Sequence, residues 1–304
     1  MNAMPAKWIA VDWGTSNVRA WVFDAEGHVV ANPSSDDGMG SLSRDGFELA
    51  LLALVAPFLP ESGRVPVICC GMAGARQGWI EAPYAWVPCG VLETGKAVHP
   101  TVLDPRLDVR ILPGVAQSVP PDVMRGEETQ LGGFISLHPT FDGVVCLPGT
   151  HTKWAQVNAG KIVSFRTFMT GELFALLSAH SVLRFSVGTD GWDAPAFLNA
   201  VGEAISSPQN LTSALFSLRA GSLLDATPPK VSRARLSGLI LGQELADAQR
   251  YWQDQQVAII GNDQLLELYG SALASQGVDV IRYEGDELVL AGLQAAYDSM
   301  RELH

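Results

Sequence analysis

The sequence predicts a chain of two related α/β halves, and three observations carry that prediction. First, Ala10-Val11-Asp12-Trp13-Gly14-Thr15-Ser16-Asn17-Val18-Arg19-Ala20-Trp21-Val22 reads as an apolar strand, a tight polar turn and a returning strand. Second, the pattern returns at Val144–Val157, with Gly14 falling on Gly149, Thr15 on Thr150, Ala20 on Ala155 and Val22 on Val157 at a constant offset of 135 residues. The third strands agree at the same spacing, His28-Val29-Val30 falling on Val163-Ser164-Phe165. Third, 304 residues suit two domains with a core each, at about 150 residues per domain.

Composition narrows the class. With 47% hydrophobic and 17% charged residues, the chain reads as compact and soluble. A net charge of −12 argues against nucleic acid or an anionic membrane as partner, since either calls for a basic patch. An anionic ligand then needs the few basic groups concentrated around it, and Arg19, Arg76, Lys153 and Arg166 lie beside the candidate loops. No apolar run approaches the ~18 residues of a bilayer span, and Trp8-Ile9-Ala10-Val11 is cut by Asp12 too early for a signal peptide. A cytoplasmic protein is expected. Cys69, Cys70, Cys89 and Cys146 form no C-x-x-C, so buried free thiols are expected rather than zinc ligands or disulfides.

Taken in order, the first strand ends on a carboxylate followed by Gly and two hydroxyls, which suits an anion with its metal. Gly14 admits backbone N–H groups to phosphate oxygens, Thr15 and Ser16 can donate, and Asp12 can hold magnesium through water. Alone, the segment fits an ordinary hairpin with a polar tip equally well; its return at Gly149-Thr150-His151-Thr152 favours a pair of phosphate turns. Asp36–Gly40 reads as a polar loop and Phe47–Leu59 as a helix against a sheet. Val65–Cys70 reads as a buried strand delivering Gly71-Met72-Ala73-Gly74-Ala75-Arg76, the usual place for a ligand in an α/β sheet. Arg76 there could pair with a substrate carboxylate, or be a solvated residue on a surface turn. Gly90–Lys96 has P-loop spacing, but Ala97 stands where Ser or Thr should reach magnesium, and Pro88 makes the preceding segment a poor central strand. It is set aside. Asp108–Leu112 reads as a strand. After Val119-Pro120-Pro121, Asp122 reads as the N-cap of a helix through Leu137 that crosses between the halves, with Leu131, Phe134 and Ile135 on its apolar side. Glu127 and Glu128 fall early on it, where carboxylates commonly serve only the helix dipole.

The second half repeats the hairpin, turning at Asn158-Ala159-Gly160, and continues with helices expected over Glu172–Phe185, Ala194–Ile205, Leu211–Leu224 and Arg233–Trp252. Leu215, Leu218 and Leu223 read as a core face. Val257–Asn262 reads as a buried strand leading into a helix over Asp263–Ala274. Val278–Tyr283 reads as a last strand and Asp286–Leu303 as a final helix, apolar at Leu288, Leu290, Ala291, Leu293 and Ala295.

Asp12-Trp13-Gly14-Thr15-Ser16, Gly71–Trp79, Arg125-Gly126-Glu127-Glu128-Thr129-Gln130, Leu147–Trp154 and Thr170-Gly171-Glu172-Leu173 together resemble the 2-dehydro-3-deoxygalactonokinase family, within the actin, hexokinase and Hsp70 superfamily. The resemblance implies an α/β fold of two ribonuclease H-like (actin/hexokinase-type) domains, each a mixed sheet with flanking helices, around an ATP cleft. Residues 1–138, joined by the C-terminal helix 286–304, would form the first domain and residues 139–285 the nucleotide-binding second. The implied reaction is ATP-dependent phosphorylation of the 6-hydroxyl of 2-dehydro-3-deoxy-D-galactonate, with Mg2+ steered by Asp12. Gly14, Thr15, Ser16, Gly149, Thr150, His151 and Thr152 would hold the phosphates, and Gly261 and Asn262 the adenosine. Glu127 or Glu128 would orient or deprotonate the attacking hydroxyl. Asn17, Arg76, Lys153 and Thr170 are the expected substrate contacts, Lys153 serving the sugar acid or the γ-phosphate. Domain closure would exclude water. A kinase for another sugar acid or sugar is the alternative. An exopolyphosphatase-like phosphatase, whose Gly-x-Glu-Glu stretch is similar to Gly126-Glu127-Glu128, is less compatible with an acidic chain. A chaperone-like ATP clamp would need a peptide-binding module, and a regulator a basic helix-turn-helix; neither is visible. A homodimer is among the assemblies the sequence allows.

Overall fold

Period-two alternation in the first strand decides how the first sheet is covered. The computed structural model describes residues 5–302, and the chain separates into two units. The first contains the chain up to Phe141, the segment Asn158–Ser164 and the residues from Gly285 onward. It holds β1 (Trp8–Trp13), β2 (Val18–Phe23), β3 (Val29–Ala31), β4 (Ser34–Ser35), α1 (Phe47–Val55), β5 (Val65–Gly71), β6 (Tyr84–Trp86), β7 (Cys89–Gly90), β8 (Leu107–Ile111), β9 (Gly114–Gln117), β10 (Asp122–Met124) and α2 (Glu127–Leu137). The main sheet runs β3-β2-β1-β5-β8, with β1 antiparallel to β2 and parallel to β5, and β5 parallel to β8. Ile9, Val11 and Trp13 of β1 pack with Phe47, Leu51 and Val55 of α1, while Trp8 and Ala10 face Val289, Leu293 and Tyr297 of the C-terminal helix, Gly285–Glu302. That helix also lies close against α2. A Cβ on Gly133 would come within 2.0 Å of the Leu288 carbonyl oxygen, and one on Gly292 within 2.0 Å of that of Thr129.

The second unit contains Asp142–Val157 and Phe165–Glu284. Its elements are β11 (Gly143–Leu147), β12 (Thr152–Asn158), β13 (Lys161–Phe168), α3 (Thr170–His180), α4 (Ala194–Ser206), α5 (Leu211–Leu224), α6 (Pro229–Asp247), α7 (Gln249–Trp252), β14 (Val257–Gly261), α8 (Asp263–Ala274) and β15 (Val280–Glu284), with the turn after β12 and the first half of β13 belonging to the first unit. The strand order β13-β12-β11-β14-β15 repeats that of the first unit, again with an antiparallel first hairpin followed by two parallel neighbours. This duplication is the ribonuclease H-like arrangement expected of both halves. Small residues again allow close helix packing: a Cβ on Gly238 would lie 2.3 Å from the Phe197 carbonyl oxygen of α4.

Several expected bounds are corrected. Asp122 does not cap a helix: Asp122–Met124 pairs with β9 as a hairpin closed over Pro120-Pro121, and Gly126 at φ +107° delays α2 to Glu127. α1 stops at Val55 because Pro57 enters the next turn. α3 starts at Thr170, two residues early, and ends at His180, with a 3-10 turn covering Val182–Phe185. The long helix expected over Arg233–Trp252 begins at Pro229 and breaks at Ala248. Leu218 is buried and Leu215 packs beside it, but Leu223 is 65% exposed and leaves the core face. Leu303, the expected end of the final helix, lies outside the described residues. All four cysteines are buried and unbridged. Among the described residues no helix is long and apolar enough to cross a membrane.

Candidate active site

In the first unit, parallel pairing sets Asp12 beside Cys70 and Trp13 beside Gly71, so β1 and β5 end together. This carboxyl end of parallel strands is where α/β sheets gather ligand groups. Asp12 Oδ2 accepts from Arg19 Nη2 at 2.9 Å, and among the described residues Oδ1 takes only the weak Cys70 thiol donor at 3.6 Å. Arg19 also reaches Asp286 at 2.6 Å. Burial works against its charge, and hydrogen bonds to Asp286 and Asp12 outweigh burial and raise its pKa. The Gly14 N–H donates to the Asn17 carbonyl at 2.9 Å, closing the turn, while Thr15, Ser16 and Asn17 stay exposed. The loop after β4 braces this turn, a role its sequence did not announce. Trp13 Nε1 donates to the Asp37 carbonyl, and the Met39 and Gly40 amides donate to Gly14 and Thr15. Gly38 lies so close that a Cβ there would meet the Thr15 carbonyl oxygen at 2.4 Å.

Two glycines bring α2 to the same place. Gly71 has φ +81°, and a Cβ on it would lie 2.5 Å from the Trp13 carbonyl oxygen; one on Gly126 would lie 3.5 Å from the Gly71 Cα. The first turn of α2 is thus held at the strand ends. Glu128 is 3% exposed, and both its oxygens accept the Gly126 N–H, at 2.9 and 2.7 Å. Burial first, and then the charge of Glu127, push its pKa up to about 7. Glu127 is half-buried and accepts the Arg125 N–H at 3.1 Å. The Cys70 thiol is raised well above its ordinary value by burial, then by the charges of Asp12, Cys69 and Glu128. Arg76 is exposed; its carbonyl accepts from Arg44 at 3.0 Å, and its guanidinium makes no ion pair among the described residues. The set-aside Gly90–Lys96 segment is closed on itself, Glu93 accepting the Gly90 N–H at 2.9 Å.

In the second unit the Gly149 turn follows β11, and α3 begins against it. A Cβ on Gly171 would lie 2.4 Å from the Gly149 carbonyl oxygen, and the Glu172 N–H donates to Thr150 at 3.0 Å. Gly149 itself faces open space, Thr150 is exposed, and exposed His151 sits 2.7 Å from Glu172 through Nε2 and Oε2. Two residues expected to touch ligand lie deeper. Thr152 is fully buried with its hydroxyl 2.7 Å from that of Tyr269, and Lys153, 6% exposed, donates to the His151 carbonyl at 3.2 Å. Thr170 donates to Glu244 and lines a cavity of about 270 Å³ together with Gly149, Gly171, Arg233, Asn262 and Tyr269. Asn262 caps α8, accepting the Leu265 N–H at 3.0 Å, and Gly261 lies under Pro148. The residue that sequence reading missed is Glu244. It is buried in α6, where it accepts from Trp154 Nε1 at 2.7 Å and Tyr269 at 2.9 Å, and burial lifts its pKa to about 7 against those donors. A charge on the stripe Leu241, Glu244, Leu245, Ala248 was the available signal.

Among the described residues no group of three or more His, Cys, Asp or Glu side chains could hold a metal by itself. Asp12, with one oxygen nearly unoccupied, suits Mg2+, which takes one or two carboxylates and completes its shell with water and phosphate.

The sequence model described as 2-keto-3-deoxy-galactonokinase matches residues 12–296. A Rhizobium meliloti (strain 1021) protein named "Probable 2-dehydro-3-deoxygalactonokinase DgoK1" is 42% identical over 294 residues, covering 94% of this chain and 95% of that protein. The 2-dehydro-3-deoxygalactonokinase of Escherichia coli (strain K12) is 33% identical over 295 residues, 96% of this chain and 98% of its own. A crystal structure from Sinorhizobium meliloti, provisionally given the same kinase name, matches with a TM-score of 0.89 at 41% identity, covering 96% of this chain and 99% of that one.

Proposed function

Because the chain belongs to the 2-keto-3-deoxy-galactonokinase family, we propose that it transfers the γ-phosphoryl group of ATP to the 6-hydroxyl of 2-dehydro-3-deoxy-D-galactonate in the cytoplasm. The observation that carries the mechanism is the close approach of Gly126 to Gly71, which sets the first turn of α2 at the strand ends beside Asp12.

Phosphoryl transfer needs positioning and charge neutralisation more than covalent help from the protein. Gly14, Thr15 and Ser16 offer backbone and hydroxyl donors to phosphate oxygens in the first unit, and Gly149, Thr150 and His151 do so in the second. Asp12 would hold Mg2+ through water; the ion supplies charge neutralisation at the phosphates. Glu127, half-buried at the start of α2, orients the attacking hydroxyl and takes its proton. Glu128, with both oxygens on the Gly126 N–H, keeps that turn in place. Arg76 and Asn17 receive the sugar acid, the Arg76 fork suiting its carboxylate. The cavity beside Thr170 and Asn262 takes the nucleoside end of ATP. In this reading residues 1–138 with 286–304 form the acceptor domain and 139–285 the nucleotide domain.

The test is ADP release in a coupled assay with ATP and magnesium across 2-dehydro-3-deoxygalactonate, its gluconate epimer, galactonate, glycerol, common hexoses and water alone. Turnover concentrated on 2-dehydro-3-deoxygalactonate is expected. Faster turnover of another acid or sugar would reassign the substrate, and ADP released in water alone would replace the kinase reading with a phosphatase.

A further inference from the structure

A carboxylate on the apolar face of a helix is costly unless donors satisfy it. Glu244, 2% exposed between Leu241 and Leu245, is satisfied by three that come from distant parts of the chain: Trp154 of β12, Tyr269 of α8 and Thr170, the first residue of α3. With Glu244 ionised, as it is above about pH 7, counting protons fixes the direction of these bonds. Tyr269 has one O–H and gives it to Glu244, so Thr152 is the donor in the 2.7 Å bond to Tyr269. Thr170 likewise gives its only proton to Glu244, leaving lone pairs alone on its oxygen. Thr170 and Tyr269 both line the cavity of about 270 Å³.

We propose that Glu244 is a positioning residue for the nucleotide: it locks the Gly149–Thr152 turn, the start of α3 and Tyr269 into one frame, and turns the Thr170 hydroxyl into an acceptor toward the cavity. The ligand atom opposite Thr170 is therefore a donor, a hydroxyl, amine or water, rather than a bare phosphate oxygen. This rests on the reading that the cavity takes ATP. Because the bonds share one carboxylate, losing the hub removes what the outer links contribute.

Calorimetric binding of ADP with magnesium to the full chain tests this, at pH 8.5, where Glu244 is ionised, and at a temperature where circular dichroism shows each variant folded. Glu244→Gln places an amide donor against a hydroxyl donor and should weaken ADP binding about tenfold, the scale of one charge-assisted contact. Tyr269→Phe should weaken it about threefold, and the double variant should bind no worse than Glu244→Gln alone. The KM for the sugar acid should stay within about twofold, which a general loosening of the fold would not produce. An ADP Kd within twofold of wild type in Glu244→Gln, or full additivity in the double variant, overturns the proposal. Should Glu244→Gln fail to fold, Thr170→Ser and Thr170→Val decide: the serine keeps wild-type affinity and the valine loses it, and equal affinities overturn the proposal. A wild-type chain that binds ADP but phosphorylates no sugar acid defeats the substrate assignment and leaves this inference to the ADP measurements. One that binds no ADP overturns the inference itself.

Discussion

Each unit buries one glutamate, and the two are held in opposite ways. Glu128 rests on the backbone N–H of Gly126, two residues away, with a second carboxylate adjacent in Glu127. Glu244 is held by side chains 25, 74 and 90 residues distant in sequence. Burial lifts both to about 7, so the shift alone does not separate them. Their partners do. Glu128 feels a second acid, Glu127, and through the Gly126 N–H it holds the α2 turn that carries Glu127 at the ends of β1 and β5. Glu244 is a hub for hydroxyls and an indole, and what it fixes is geometry. A buried carboxylate thus braces one local turn or a set of distant elements according to what surrounds it.

The sharpest way to break this contrast is Glu127→Gln. If the α2 turn does the chemistry, kcat falls on the order of 10² to 10⁴ while ADP affinity holds within about twofold, the reverse of what Glu244→Gln should do. Steady-state rates with calorimetry would check it. A retained kcat in Glu127→Gln with a collapsed one in Glu128→Gln would move the base to the buried position.

Next in size are the glycines that let each unit close on its turn. Gly71→Ala and Gly171→Ala would each drive a Cβ to about 2.5 Å from a backbone oxygen, and each should destabilise the fold by about 2 kcal/mol or more. Gly149→Ala meets nothing within 4 Å and should cost less than about 1 kcal/mol while weakening ADP binding. Thermal melts of the three variants separate packing glycines from the ligand-facing one. Equal melting losses in all three would erase the distinction.

What was legible in the sequence was local. α5 and α8 lie on the residues their periodicity marked, and Asn262 caps α8 as a residue of its type should. The repeated hairpins were legible because a glycine turn between alternating apolar runs is written in adjacent residues. Asp122 misled because Asp is equally at home at an N-cap and in a hairpin, and only Gly126 at φ +107° rules out the earlier start. The bracing of Gly14–Ser16 by Asp37–Gly40, and the partners that three elements bring to Glu244, depend on contacts between segments that no window of sequence contains. Thr152 looked like its neighbour Thr150, yet strand alternation turns it inward to Tyr269.

The buried pair also predicts a pH dependence of smaller size. Both carboxyls have folded-state pKa values raised from 4.5 to about 7, so the folded chain keeps protons that the unfolded chain releases in that window. Their contribution to stability is therefore full below about pH 4.5, declines as pH rises through about 7, and is constant above it, by up to about 3 kcal/mol each. Glutamine does not titrate. The stability gap between wild type and either Glu128→Gln or Glu244→Gln should accordingly narrow between pH 5 and pH 8, with Glu244→Gln the less stable of the two throughout because it sets a donor against donors. Urea unfolding at the two pH values measures this, and a gap that widens with pH would contradict it.

Arg76 offers the smallest effect and the cleanest separation of site from scaffold. Its exposed guanidinium makes no ion pair among the described residues, so Arg76→Ala should leave stability within about 0.5 kcal/mol of wild type. The Arg44 bonds at this loop go to the Arg76 and Gly78 carbonyls, which the substitution keeps. If Arg76 receives the sugar-acid carboxylate, its loss should raise the KM for the acid about tenfold and spare ADP binding, since one charge-assisted pair is removed and nothing else moves. Arg76→Lys should recover only part of the loss, because an ammonium keeps the charge without the planar fork. An unchanged KM in Arg76→Ala would return this residue to the solvent and leave carboxylate recognition to another group of the first unit, a result that would narrow the acceptor side without disturbing either buried glutamate.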